Sequence, residues 1–349
     1  MAKAAVHDEI YRELDHGCKI VQLTLYKHQV SGHHVFLMYD ENKLLKHLNE
    51  DEQYIYEGFP EYLKKFIPKF YGIVKVVCHK AEDGEILCFA LPKDCSYLKD
   101  NDRFQNWLTG MQLIKNQSFT NVFTTIEDDK EDLKIKERVM KQLQRSIEDK
   151  KSEKFMLLED VSRKFKFPCA IDLKMGTRGF GDREGTEKQK RKQRKADSTT
   201  ALSLGVRMSG MQVYQPCSEE YFTVNKLEGR KFKDEDFVKA LKRFVYNGSH
   251  HRVELLGPYI ERLEKLLYNI EKADCFRFYC SSLLLMYDGD TSMKSPHVEV
   301  RMIDFAHCVL KHDELNTHKG PDKGYIKGLQ NTIDIFKNIR NSFEKTSPR

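Results

Sequence analysis

No stretch restricts this chain as tightly as Pro168 to Asp182, which reads Pro-Cys-Ala-Ile-Asp-Leu-Lys-Met-Gly-Thr-Arg-Gly-Phe-Gly-Asp. Apolar and charged residues alternate after Pro168. A strand therefore puts Ile171, Leu173 and Met175 on one side and Asp172 and Lys174 on the other, about 6.6 Å apart at about 3.3 Å per residue. Gly176 ends the alternation, and Gly179 and Gly181 mark a turn in which backbone can approach a ligand closely. An acid and a base on one face suit phosphoryl transfer: the carboxylate orients or deprotonates a hydroxyl, and the ammonium neutralises charge on the transferred group. By spacing alone the more ordinary reading is an exposed strand with a surface ion pair, worth at most ~1 kcal/mol.

The wider pattern shifts that balance. Pro168, Asp172, Lys174 and Gly176 reproduce the P-x-x-x-D-x-K-x-G signature of the inositol polyphosphate kinase family, and Asp172 to Arg178 resembles its inositol hexakisphosphate kinase branch. Further segments resemble the family in the same order: His28-Gln29-Val30 with Gly32-His33, Leu158 to Val161, Leu204 to Arg207, Gly210 to Tyr214, Ser281 to Leu284, Arg301 to His307, and Gly320 to Tyr325. The resemblance runs from about residue 20 to about residue 340. It implies an α+β, two-lobed kinase-like fold, with an antiparallel-sheet N-lobe, a larger α+β C-lobe, and ATP in the cleft.

Composition agrees with a globular chain. At 349 residues it can bury about 75% of its unfolded surface and is long for one core, so two lobes are expected. The division falls at 1–158 and 159–349, with a charged helical insertion at about 98–153. The net charge of +6 is mild, but the basic residues are unevenly placed, which points to a local anionic partner. Nine cysteines without a C-x-x-C pair read as reduced thiols rather than a zinc site. No apolar signal core or 18-residue apolar run is present, so an intracellular protein, cytoplasmic or nuclear, with no membrane partner is expected. The P-loop, the H-R-D loop, an early G-x-G-x-x-G and the G-x-S-x-G elbow are all missing from the sequence, which argues against protein kinases and P-loop kinases.

In chain order, Val21 to Leu25 and Val35 to Tyr39 read as strands, and a turn at Asp40-Glu41-Asn42 places Lys46 at the end of the next strand. Kinase-like folds keep a phosphate-gripping lysine at such a position, although Lys43 and Lys46 are equally compatible with ordinary edge charges. The resemblance favours Lys46 as an ATP contact. Residues 49–57 look helical and supply Glu52 as its carboxylate partner, with Glu57 as the alternative. Phe70 to Cys78 and Glu85 to Phe89 form a hairpin, and residues 98–125, with Trp107, read as core. Residues 127–153 read as a long charged helix. Phe155 to Leu158 is a strand leading into a hinge, and the resemblance assigns Glu159 and Val161 to the adenine.

A second signal is the basic run Glu187 to Lys195, in which Lys188, Arg191, Lys192 and Lys195 form one helical stripe at i, i+3, i+4 and i+7. A solvated charge run or nuclear-localisation signal, a nucleic-acid patch and an inositol phosphate cradle all fit such a stripe. Its closeness in sequence to Asp172 and Lys174, and the family's use of a substrate helix here, favour the inositol polyphosphate over nucleic acid. Leu204 to Tyr214 returns to a sheet, with Arg207 and Gln212 toward the ligand, and the resemblance adds Lys226. Asp234 reads as the N-cap of one helix, a second follows Pro258, and a third spans 322–343. Phe276 to Tyr287 and Val298 to Ile303 read as strands. Asp304, at the end of the latter, is positioned to hold Mg2+, like the D-F-G aspartate of kinases, and the resemblance adds Ser282 to the metal site. By itself Asp-Phe-Ala also fits a strand-end turn.

The expectation is thus an ATP- and Mg2+-dependent inositol phosphate kinase. Asp172 and Lys174 are catalytic, Lys46, Glu52, Glu159, Val161, Asp172 and Asp304 serve ATP, and Lys174, Lys188, Arg191, Lys192, Lys195, Gln212 and Lys226 serve the substrate. The branch implies inositol hexakisphosphate as acceptor and a pyrophosphate product. A multikinase acting on tris- to pentakisphosphates and a non-catalytic polyanion- or RNA-binding protein are the alternatives.

Overall fold

The computed structural model describes residues 11–14, 18–26, 28–30, 35–80, 86–91, 137, 141, 143–149, 151–292, 296–313 and 316–345. The chain divides into two compact units, one of 1–48 with 70–160 and one of 49–69 with 161–349.

The first unit is built on an eight-stranded antiparallel sheet in the order β1-β2-β7-β6-β8-β5-β4-β3. The strands are β1 (Tyr11–Leu14), β2 (Cys18–Gln22), β3 (Thr24–Leu25), β4 (Leu37–Asp40), β5 (Lys43–His47), β6 (Phe70–Lys80), β7 (Ile86–Leu91) and β8 (Glu153–Glu159). Period-two alternation turns Leu45 into a core shared with Val21, Leu37, Val76, Cys88 and Phe155. Lys46 consequently faces the other way from Leu45. The turn before β5 is closed by Asp40, whose carboxylate accepts from the Asn42 N–H at 2.7 Å. Residues 143–148 are helical; the rest of the charged stretch at 98–153, Trp107 included, lies largely outside the described residues, as does the Ser31-Gly32 turn.

The second unit holds a five-stranded antiparallel sheet, ordered β11-β10-β9-β12-β13. These are β9 (Pro168–Met175), β10 (Val206–Gln215), β11 (Glu220–Val224), β12 (Ser282–Asp288) and β13 (Val298–Ile303). β9 lies in the middle, between β10 and β12. One face of this sheet is apolar, with Ile171, Leu173, Met208, Leu283, Leu285 and Met302 at 0% exposure. Helices lie against that face. The Tyr287 hydroxyl, in register with it, donates to the Phe244 carbonyl at 2.7 Å, and Gly328 comes so close that an added Cβ would lie 2.9 Å from the Met175 methyl. The opposite face carries the polar residues, so one strand pattern settles both the core and the site.

Eight α-helices among the described residues have defined bounds: α1 (Glu50–Gly58), α2 (Glu61–Lys64), α3 (Thr186–Asp197), α4 (Thr200–Leu204), α5 (Lys226–Gly229), α6 (Asp234–Phe244), α7 (Leu256–Glu271) and α8 (Lys323–Glu344). α1 starts at Asn49, whose side chain accepts from the Glu52 N–H at 3.0 Å, and α8 at Asp322, which accepts from the Tyr325 N–H at 3.0 Å.

Several boundaries differ from the sequence expectation. Residues 49–69, read as part of the first lobe, belong to the second unit. There Tyr56 and Phe59 lie 5.2 and 4.9 Å from the Phe305 ring, and the Phe66 carbonyl accepts from the Met302 N–H. Helix α6 begins at Asp234 with Lys233 in the cap position. Helix α7 begins two residues before Pro258, because a first-turn proline gives up no helical hydrogen bond. β12 begins at Ser282 rather than Phe276, since Cys275 and Cys280 adopt φ of 67° and 57°, which breaks the extended backbone.

Candidate functional site

The sheet register places the site. Lys174 is opposite Arg207 on β10 and Ser282 on β12, and Ser282 is opposite Ile303, the residue before Asp304. Two residues along, Asp172 is opposite Gly210 and Leu284, and Leu284 is opposite Arg301. Directly opposed residues share a face. The polar face therefore carries Asp172, Lys174, Arg207, Ser282 and Arg301 in two adjacent rows. Asp172 is 3% and Ser282 1% exposed, so neither is an incidental surface residue and the surface ion pair is ruled out. Burial and nearby Arg230 lower the Arg207 guanidinium below its ordinary value, with Asp172 opposing them. One Arg207 terminal nitrogen, Nη1, is buried with no hydrogen-bond partner.

At the end of β9 the chain turns through Gly176, at φ 89°, whose N–H donates to the Gly205 carbonyl at 2.8 Å. A side chain would be strained in that left-handed backbone. Beyond it, Arg178 lies between the Phe180 and Tyr279 rings, 4.1 Å from each centroid, and pairs with Asp182.

Asp304 stands directly after β13 in a left-handed conformation, φ 65°, which few non-glycine residues adopt. Its neighbour anchors it: Phe305 is fully buried, and its N–H donates to the Glu52 carboxylate at 3.1 Å. Burial pushes the Tyr56 hydroxyl well above its ordinary value, and Glu52 and Asp304 push it further, so both carboxylates act at this point. Glu52, expected as the partner of Lys46, also accepts the backbone N–H next to Asp304, within the second unit.

The basic stripe is a real helix, α3; Lys188 lines a cavity of about 830 Å³ with Glu184, Arg183, His307 and His312, and Lys192 bonds to Glu184 at its wall. Arg191 and Lys195 on the same stripe are exposed. Gly181 passes so close to His307 that an added Cβ would lie 3.1 Å from its ring, which seats the loop before α3 on the segment following Asp304. Burial, with Lys192 next to it, lowers the pKa of His307, so the ring is neutral near pH 7.

Two further substrate candidates occupy definite places. The Gln212 side-chain amide is buried and donates to the Pro168 carbonyl at 2.7 Å, which ties β10 to the start of β9. Lys226 opens α5 behind the Asn225 cap, and α5 sits against β10, where a Cβ on Gly229 would lie 2.9 Å from the Met208 carbonyl. Lys46 and Glu159 belong to the first unit and Val161 to the second. Lys46 is 8% exposed, with its Nζ 5.9 Å from the Phe36 ring centroid.

Glu184 was missing from the sequence reading, and Arg207, read there as facing the ligand, was given no role. Arg207 precedes a register shift between Met208 and Gly210; without that shift, counting alternate residues back from Gln212 puts it on the apolar face. Glu184 accepts from Lys188 and Lys192. Its i,i+4 spacing to Lys188 is a sequence signal; its reach to Lys192 is not.

Residues 155–337 match the sequence profile of the inositol polyphosphate kinase family. Over most of its length the chain is similar to inositol hexakisphosphate kinase 3 from Homo sapiens, with 33% identity covering 92% of this chain and 96% of that protein. It is also similar to inositol hexakisphosphate kinase 1 from Rattus norvegicus, with 31% identity covering 93% and 95%. Its fold is similar to that of inositol phosphate multikinase Ipk2 from S. cerevisiae, solved in complex with ADP and Mn2+. That match has a TM-score of 0.55 and 18% identity over 85% of this chain and 98% of the other.

Proposed function

The chain belongs to the inositol polyphosphate kinase family, and from that premise we propose that it transfers the terminal phosphoryl group of ATP to inositol hexakisphosphate, forming a diphosphoinositol. The observation that carries this reading is the array on one sheet face. Asp172, Lys174 and Ser282 stand in register with the strand that leads into Asp304, and the loop before the Lys188 and Lys192 helix packs against the segment that follows.

In this reaction the γ-phosphorus–oxygen bond to ADP breaks, and a bond forms from that phosphorus to an oxygen of a substrate phosphate. The acceptor oxygen is already ionised, so alignment and charge neutralisation matter more than a strong base. Lys174 neutralises charge on the transferred group. Arg207, opposite it with an unsatisfied buried nitrogen, adds a second cation on that row. Lys188, Arg191, Lys192, Lys195 and Lys226 hold the remaining phosphates, while Gln212 ties β10 to the start of β9, the strand that carries Asp172 and Lys174. Asp172 hydrogen-bonds the ribose or steers the acceptor. Lys46, Glu159 and Val161 serve the nucleotide.

The donor set fits Mg2+. Asp304 and Glu52 are hard oxygen donors near one point, and Ser282 is in register with Ile303, the residue before Asp304. Among the described residues no group of three or more His, Cys, Asp or Glu is placed to cage a metal. One or two carboxylates, completed by phosphate oxygens and water, is the coordination Mg2+ ordinarily takes. When bound, the cation supplies charge neutralisation on the triphosphate. The Ipk2 structure of the same fold contains ADP and Mn2+.

Incubation with Mg-ATP and each inositol phosphate in turn, with products resolved by charge, tests the proposal. A product from inositol hexakisphosphate carrying one added phosphoryl group supports it. Products from lower phosphates alone would make the protein a multikinase.

A further inference from the structure

The loop before α3 carries a carboxylate that the helix's own lysines already hold. Lys188 Nζ lies 2.8 Å from Glu184 Oε1, and Lys192 Nζ lies 2.6 and 2.8 Å from Oε1 and Oε2. The Glu184 side chain is 7% exposed, although it sits in a polar surface loop. The loop is tied down by Gln189, whose side chain donates to the Glu184 carbonyl at 2.6 Å, and by the Arg183–Asp51 ion pair. Burial alone would raise the Glu184 pKa; hydrogen bonds from Lys188 and Lys192 instead hold it at about 2, so the group stays anionic at neutral pH.

Two anionic oxygens gripped by two ammonium groups at 2.6–2.8 Å is the contact a substrate phosphate would make with the same lysines. We propose that Glu184 is an internal competitor for the phosphate subsite formed by Lys188 and Lys192, seated there in the free protein and displaced by a phosphate of the inositol substrate. The inference rests on the function proposed above. Without an anion, lysines one turn apart on a helix repel each other. Glu184 offsets that repulsion and keeps both ammonium groups gathered at one point on the cavity wall until substrate arrives. A phosphate of nearly two charges outcompetes a singly charged carboxylate for the same donors. The loop has open space next to the carboxylate: a Cβ on the flanking Gly185 would meet nothing within 4 Å. The consequence is a specificity filter: every phosphate bound at this subsite must expel a carboxylate, so ligands without a phosphate there leave the lysines neutralised.

The test is binding of inositol hexakisphosphate by calorimetry without nucleotide, alongside initial-rate kinetics, for wild type and Glu184→Gln. The amide removes the competing charge, and Kd and KM should fall about three- to tenfold, the range expected when one partly exposed ion pair no longer has to be broken. The change should fall in KM rather than kcat. A Kd equal to or weaker than wild type, in a variant that melts within about 2 °C of it, overturns the proposal and makes Glu184 a structural pin. If Glu184→Gln does not fold, Glu184→Asp decides by the same comparison, because a side chain one methylene shorter loses the bridge to both lysines and should also bind more tightly. Failure of the functional reading looks different: wild type binds the hexakisphosphate but transfers nothing to it, while the Kd comparison still stands. If wild type does not bind it at all, the inference falls with the function.

Discussion

Replacing Asp304 by Asn should separate catalysis from folding. Asp304 occupies φ 65°, a region that costs an ordinary residue about 1–2 kcal/mol and that Asn and Asp tolerate best. The amide is nearly isosteric, so folding stability should stay within about 0.5 kcal/mol of wild type. The Phe305 N–H bond to Glu52 and the Phe305 contacts with Tyr56 and Phe59 do not involve the Asp304 side chain. What is lost is the anionic oxygen proposed to hold the cation. If the cation supplies about 4 kcal/mol of charge stabilisation in the transition state, the rate should fall roughly 10³-fold. Lys188 and Lys192 are untouched, so inositol hexakisphosphate binding should persist. Asp304→Ala gives the internal control: it should be equally inactive but about 1 kcal/mol less stable, because alanine lacks the tolerance for a left-handed backbone. Product formation by charge separation, melting temperature and calorimetric binding report the three quantities independently. An Asn variant that keeps more than about a tenth of wild-type activity would refute the assignment. Loss of activity together with a melting temperature several degrees lower would show that the role is structural.

Lys174→Met should lower kcat by at least about 10²-fold, the scale of a lost electrostatic donor, and a kcat within threefold of wild type would exclude Lys174 from the transferred group. Phe305→Ala removes a fully buried ring and should destabilise the protein by about 3–5 kcal/mol in urea unfolding; a loss under 1 kcal/mol would mean the segment after β13 is not anchored as described. Glu299 is 2% exposed and within 3.0–3.6 Å of Lys164, Arg262, His297 and Arg301, so Glu299→Gln should cost about 3–5 kcal/mol at pH 7. Burial alone would raise the Glu299 pKa, but Arg301, Lys164 and Arg262 hold it below the ordinary value. Its contribution is therefore complete above the unfolded carboxyl value near ~4.3 and is lost as pH falls through the lower folded value. The difference in urea midpoint between wild type and Glu299→Gln should shrink below about pH 4, and a difference constant down to pH 3 would contradict the charge pairing.

Local chemistry alone carried much of this. Alternation from Ile171 to Met175 placed Asp172 and Lys174 on one face, because side chains in a strand point alternately to opposite sides whatever lies around them. The 3.6-residue period made α3 and its basic stripe legible, and Asn49 and Asp322 marked helix starts through their own backbone hydrogen bonds. Other features depended on which segments pack together. Residues 49–69 followed the first strands in sequence but joined the second unit, because the aromatic face of Tyr56 and Phe59 is buried on Phe305, about 250 residues later. Arg207 reached the row of Lys174 through a register shift that no alternation count includes. Lys192 meets Glu184 because the loop folds back along the helix. Residue spacing determines direction within one element. Which elements meet, and so that Glu52 reaches the Phe305 N–H and Glu184 reaches Lys192, is decided by burial and hydrogen bonding between segments apart in the chain.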